Sequence, residues 1–433
     1  MNRQVSRRSF LEVTGQALTA AGLGGLPLMA QGQPRGQLFA YVGRATPGFL
    51  GGPEGGGIDV FRVNMADGSL EHIGSTGPEA QDLNSESMCV SMDGRFLYCA
   101  NRTNALNGIP GTGGGIVAFA IDRADGSLRH LNTVPSMGAN PAGVRVDSTN
   151  SRLVVGNHGA VNRVVLVRKR DGVPVIESPA DDATVVLYSV EPDGSVGPAL
   201  DVHVFDAPPV AGAEGMRREA IGPMPGNQVA PACHHVALDR TERWIIATDN
   251  GYDHIYVYPF SPTSRSLDAK VFPASPGAAP RHIAVHASAP YFFVTNEREP
   301  SVSSYSLDSD TGQVRLVQTV GTLPEGDASP ANIRIHPNGK YLYSANRAET
   351  DTIAVFAIDE RTGRLDRVGV FEIGGMGQRE FNIEPSGRFL FACNTRSNDV
   401  ITFALNGDTG EMTLTAHTSL ERPMVIDFAI QRS

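Results

Sequence analysis

The sequence predicts an all-β fold, a seven-bladed β-propeller of four-stranded blades. Three observations lead there. Short alternating apolar runs are punctuated by turn signals such as Asp67-Gly68 and Asp93-Gly94, the mark of many short strands. A two-strand frame recurs along the chain with a constant offset of sixteen residues between its ends. The last apolar segment, Arg422 to Ile430, looks like the first strand of a unit whose other three strands stand at the start of the chain. Units of four strands repeating every roughly 45–55 residues read as propeller blades. Pairing the C-terminal strand with the N-terminal three closes the ring and removes the open edge of a linear array. A β-solenoid or a pair of sandwiches leaves the lone last strand unexplained.

Composition agrees with a globular chain. Of 433 residues, 41% are hydrophobic and 19% charged, with 48 glycines, 29 prolines and a single Trp. The net charge of −10 argues against a nucleic-acid partner held by a general basic surface. The four cysteines, Cys89, Cys99, Cys233 and Cys393, form no CxxC pair, so no zinc site is expected. Cys89 and Cys99 fall on neighbouring strands of one hairpin, where a disulfide is conceivable. Buried free thiols are the simpler reading. No nucleotide cofactor is expected, because the Gly runs at 51–57 and 111–115 do not lie between a strand and a helix.

In chain order, residues 1–36 read as a leader. Arg7 and Arg8 precede a modest apolar run, Ala17 to Ala30, and a small-residue region near Leu28 to Gln31. That is the pattern of a twin-arginine export signal, too short and Gly-rich to span a membrane, and it implies a periplasmic or secreted protein with no membrane role after export. The propeller then occupies residues 37–433. Gln37 to Arg44 and Gly57 to Gly74 supply strands two to four of the incomplete first unit. Hairpins follow at Ser85–Arg102, Asn140–Gly159, Cys233–Asn250, Pro280–Glu297, Pro330–Arg347 and Gln378–Thr395, each with an outer pair of strands after it except the third of them, after which one outer strand, Asp253 to Phe260, is read. Segments near 162–182 and 206–231 are insertions; the first has the look of a hairpin of its own.

The first strand of a blade lines the central channel, so the two ends of each frame share one rim. First-strand starts are Glu86, Ala142, His234, Arg281, Ala331 and Arg379; sixteen residues on stand Arg102, His158, Asn250, Glu297, Arg347 and Thr395. The incomplete unit offers Arg44 and Met424. Asn101, Asn296, Asn346 and Asn394 recur just before four of these ends and read as structural turn residues. The ends themselves vary, and they bring two carboxylates, two histidines and several arginines to one mouth. That variety points to a site for a small anionic molecule, not to packing. His286 and His336 read as turn caps. By strand alternation, His235 points away from the channel and His282 is buried between blades. The histidines are spread over separate blades, so no metal is expected.

The segments PRHIAVH with TNE, CHHV, and the repeated PxGRFLxxxN hairpins resemble the lactonase family of seven-bladed propellers, of the 6-phosphogluconolactonase and 3-carboxy-cis,cis-muconate lactonizing enzyme type. In that family a His-x-His-x-Val motif marks the channel; here Ala232 stands at the first His and His234 at the second. The resemblance places the family's active-site Arg and Glu on Arg281 and Glu297, and a further Arg on Arg347, with Arg379 as its rival. It implies a hydrolase that opens a small carboxylated or sugar-type lactone. Glu297 or His234 would activate water, Arg281 and Arg347 would bind the anion and steady the oxyanion, and Glu86, Arg102, His158, Asn250 and Arg379 would line the pocket. A cycloisomerase using the same ring, or a propeller that binds an anionic ligand or partner without turnover, are the alternatives.

Overall fold

The computed structural model describes residues 36–47, 56–159, 166–170, 172–177, 181–211 and 230–431. The expected leader, up to residue 35, residues 160–165 at the start of the first insertion and 212–229 of the second lie outside them. Seven four-stranded antiparallel sheets are present among these residues, with one further two-stranded hairpin, Leu166–Arg170 with Val173–Glu177. Blade 1 is composite. Pro423–Ile430 pairs with Leu38–Arg44 from Leu38 opposite Ile430 to Arg44 opposite Pro423, so the C-terminal strand closes the ring.

The inner strands of blades 2 to 7 are Ser85–Val90, Pro141–Val146, Cys233–Leu238, Pro280–Val285, Ser329–Ile335 and Gln378–Ile383. Hydrophobic side chains do not gather in one core. Among the described residues they form seven clusters, one between each pair of neighbouring blades; Phe39, Tyr41, Met88 and Leu97 join blades 1 and 2, and Phe391, Cys393 and Phe428 join blades 7 and 1. An aromatic side chain from one blade also reaches the outer turn of the next. Tyr41, Tyr98 and Tyr343 donate to the carbonyls of Gly126, Gly194 and Gly410, each at 3.0 Å, and Trp244 Nε1 donates to that of Ser309 at 2.9 Å. A glycine is required in such a turn: Gly312 has φ +70°, and a Cβ there would lie 2.5 Å from the Trp244 ring.

All four cysteines are free and buried. Met88 pairs with Cys99 and Cys89 with Tyr98, so the thiols of Cys89 and Cys99 lie on opposite faces of the blade and cannot bridge.

One irregularity recurs in every blade. In blade 4 Cys233 opposes Asp249 while His235 opposes Thr248, leaving His234 as an extra residue. The same break falls between Ser85 and Ser87, Pro141 and Gly143, and Gln378 and Glu380; it spans Pro280–Ile283 and Pro330–Ile333 in blades 5 and 6, and it leaves Met424 extra in blade 1. These are β-bulges, which bend a strand and re-aim side chains. A bulge places two consecutive residues opposite one, so strict alternation fails and both turn to the same side. His235 and His282 therefore depart from the alternation rule. The His235 ring lies 4.8 Å from that of His282, and His282 Nδ1 lies 3.6 Å from Glu380 Oε1, two blades away across the channel.

Candidate active site at the channel rim

In blades 2 to 7 the bulge residue of the inner strand and the residue at or just past the end of the second strand meet at one mouth. Backbone bonds fix that meeting: Glu297 N–H donates to Ala279 C=O at 2.9 Å, and Arg102 N–H to Asn84 C=O at 2.8 Å. The recurring Asn residues hold the frame, though through different partners than a turn reading implies. Asn296 and Asn394 donate to Ser301 and Asp399 at the start of the next strand, each at 2.8 Å, while Asn101 accepts from the Asn84 N–H at 3.0 Å. His286 and His336 do cap turns, accepting from the N–H groups of Ala289 at 2.9 Å and Asn338 at 3.1 Å.

Two carboxylates anchor the rim. Glu86 accepts from Arg102 Nη1 at 2.6 Å and from Arg379 Nη2 at 3.0 Å. Glu297 accepts from Arg347 Nη2 at 2.5 Å and from Asn250 Nδ2 at 2.9 Å, and Arg281 Nε lies 3.3 Å from its Oε1. Between these clusters the rings of His158 and His234 meet edge to face, 5.5 Å apart. All nine candidates thus come to one mouth. Arg44 does not join them; it pairs with Asp59 of its own blade at 2.8 Å. Thr395 is used structurally, donating to the Pro423 carbonyl at 2.7 Å.

Electrostatics divide the roles. Burial alone would raise Glu297, but Arg281 and Arg347 outweigh it and hold the carboxyl at about 2; burial of Glu86 is likewise overcome by Arg102 and Arg379, again giving about 2. Burial, with Arg281, His282 and His158 nearby, pushes His234 well below the usual imidazole range. His234 is therefore neutral at neutral pH, and its Nδ1 has no hydrogen-bond partner among the described residues. Arg281 is 2% exposed. Its contact with Glu297 is poorly aligned, and Nε and Nη1 lack hydrogen-bond acceptors among the described residues. Arg347 and Arg379 are the more accessible cations, with side-chain exposures of 25% and 16%.

Below the rim lies a second tier that alternation reasoning misses. It contains His235, His282, Arg334, Glu380, Asn332 and Arg145. Arg334 Nη2 reaches Glu380 at 3.4 Å, and its Nη1 donates to Asn332 Oδ1 at 2.6 Å. The signal available in the sequence is the polar doublet opening an otherwise apolar strand: His234-His235, Arg281-His282 and Arg379-Glu380. Among the described residues, no cluster of three His, Cys, Asp or Glu side chains could hold a metal ion.

Stability should follow these shifts with pH. Glu86 and Glu297, held at about 2, contribute stability that is full above the ordinary value of 4.5 and is lost as pH falls toward 2. The buried neutral histidines His234, His235 and His282 add stability that is full above 6.5 and drains as pH falls below it. Glu380, raised by burial to about 6, opposes them: its contribution is full below 4.5 and is lost as pH rises through 6. The expected result is a thermal midpoint that declines gently below 6.5 and steeply below 4.5. A midpoint that is flat or rises on acidification would contradict these assignments.

A family profile described as Lactonase, 7-bladed beta-propeller matches residues 39–428. The 6-phosphogluconolactonase of Bacillus subtilis is 26% identical over 322 residues, covering 73% of this chain and 81% of the relative. That of Formosa agariphila is 25% identical over 363 residues, covering 83% and 91%. A solved periplasmic gluconolactonase of Pseudomonas aeruginosa superposes with a TM-score of 0.71 at 23% identity, covering 91% of this chain and 99% of that one, a likeness of fold.

Proposed function

Because the chain belongs to the lactonase family of seven-bladed β-propellers, we propose that it is a hydrolase that opens a small anionic lactone, carboxylated or of the sugar type. The observation that carries this reading is a neutral His234 whose Nδ1 has no hydrogen-bond partner among the described residues, close enough to Arg281 to feel its charge, at a mouth with surplus positive charge. Four guanidiniums (Arg102, Arg281, Arg347 and Arg379) face two carboxylates (Glu86 and Glu297), a surplus of two positive charges.

Ring opening needs a base for water and donors for the developing oxyanion. Glu297 is poorly suited as the base: held at about 2, it has little proton affinity, and both oxygens are engaged. It acts as a strut that fixes Arg281 and Arg347. His234 takes a proton from water, the hydroxide adds to the lactone carbonyl carbon, and Arg281 donates to the carbonyl oxygen as charge develops on it. The ring C–O bond then breaks and the alkoxide takes up the proton. Arg347 and Arg379, reachable from solvent, hold the substrate's anionic group. The relatives named as 6-phosphogluconolactonases support this substrate chemistry. The leader with Arg7 and Arg8 supports an exported protein, which favours a lactone met outside the cytoplasm over a phosphorylated cytoplasmic one.

The test is purified protein incubated with a panel of neutral and anionic lactones, acid release being followed over time. At least one anionic lactone should be opened faster by wild type than by Arg281→Ala and Glu297→Gln. If wild type exceeds neither variant on any lactone, the hydrolase reading is lost. Saturable binding without acid release would identify a ligand-binding propeller instead.

A further inference from the structure

The second tier of the channel holds a carboxylate unlike the two at the rim. Glu380 sits at the bulge of blade 7, one residue after Arg379, and is buried. His282 Nδ1 approaches its Oε1 at 3.6 Å. The His282 ring in turn lies 5.1 Å from that of His234, and the Nδ1 atoms of both are buried without hydrogen-bond partners among the described residues. Neighbouring titratable groups thus run from the rim histidine of blade 4, through blade 5, to a carboxylate on blade 7, with gaps of 5.1 Å between ring centres and 3.6 Å between His282 and Glu380. We propose that His282 and Glu380 form the proton store of the site, Glu380 receiving through His282 the proton that His234 removes from water.

This inference rests on the hydrolase reading and deepens it. The proton balance is closed. Water loses H⁺ to His234 as its oxygen bonds to the carbonyl carbon. The imidazolium passes a proton to His282, which passes one to the Glu380 carboxylate. When the ring C–O bond breaks, the proton returns by the same path to the alkoxide oxygen. The direction is favourable because His234 lies well below the ordinary imidazole range, whereas burial, with a contribution from Glu86, raises Glu380 to about 6. A store near that value is ionised at neutral pH and matched to the working range of an acid–base group, which a carboxyl held at about 2 is not.

The groups facing Glu380 are consistent with this role. Arg334 of blade 6 lies 3.4 Å away; it, Arg145 of blade 3 and Arg281 of blade 5 favour the ionised form. Glu86 of blade 2 disfavours it. Asp427 of blade 1 is tied to Asn382, at 3.2 Å, and to the Val90 N–H, at 2.9 Å. On its own blade, Glu380 adjoins Arg379 and, on the second strand, the buried Cys393. His282 is neutral at neutral pH for the same reasons of burial and flanking cations, so it can both accept and donate.

The test compares pH profiles of kcat/KM for wild type, Glu380→Gln and His282→Asn. Gln keeps the shape of the side chain and an oxygen for Arg334, and the second variant leaves Glu380 itself in place. Wild-type kcat/KM should rise with pH through a midpoint of about 6. Both variants should lose that midpoint and fall by about tenfold or more near neutrality. Retention of the wild-type midpoint and rate in both would overturn the proposal. A second readout needs no turnover: the carboxyl carbon resonance of Glu380, assigned by its loss in Glu380→Gln, should titrate near 6 and shift the His282 ring signals as it does so. Titration at the ordinary carboxyl value of 4.5, with no response from His282, would overturn the pair even if the protein opens no lactone. Pair-like titration in a protein without lactone turnover would instead remove only the hydrolase reading on which the proton's use depends.

Discussion

Glu297→Ala is expected to lower the stability of the folded protein by about 3–5 kcal/mol, the cost of leaving a buried charge without its partner. The charge in question is Arg281, which is 2% exposed and whose ion pair is with Glu297. Arg347 and Asn250 lose the same acceptor at once. Truncation thus leaves three donor side chains short of partners in a mouth crowded with positive charge. Glu297→Gln should be milder, since the amide still offers one oxygen, and Arg281→Ala milder than Glu297→Ala, since Arg347 and Asn250 remain on the carboxylate. Denaturant unfolding at neutral pH separates the three. A loss below about 1 kcal/mol for Glu297→Ala, the range of a surface pair, would show that the rim is a solvated charge ring and not a built site.

The blades and their closure were legible because they are encoded locally. Alternating apolar runs and Asp-Gly turns mark each hairpin, and the unpaired Arg422 to Ile430 segment called for the three strands at the other end of the chain. The ring positions were legible for a less obvious reason. Every inner strand carries a bulge in the same place, so the sixteen-residue offset survives from blade to blade although it hides an extra residue. The same bulge made the second tier illegible. It has no signature of its own in the sequence, and the period-two rule then sends His235 and His282 away from the channel. The doublets His234-His235, Arg281-His282 and Arg379-Glu380 are the only trace, and without a register they read as one functional residue beside one incidental neighbour. The choice between Glu297 and His234 as the base was closed to sequence as well. Spacing puts Arg281 beside Glu297, but only the three-dimensional site shows that Arg347 and Asn250 also hold that carboxylate.

The second large effect falls on turnover. His234→Asn removes a neutral rim histidine whose Nδ1 has no hydrogen-bond partner among the described residues, while leaving Arg347, Arg379 and the Glu297 strut untouched. His158 cannot substitute readily, because its Nδ1 is engaged with the Gly159 carbonyl at 2.9 Å. Loss of a positioned general base costs about 10²–10⁴ in rate. The substitution should therefore lower kcat by that factor, with KM for an anionic lactone little changed, since the cations that grip the anion remain. The most direct test that the rim is a histidine-driven hydrolytic site is the steady-state comparison of wild type with folded His234→Asn on the same anionic lactone at neutral pH. A fall in kcat of about 10²-fold or more at nearly constant KM is the predicted result. A variant that keeps wild-type kcat would contradict it and return the role of base to Glu297.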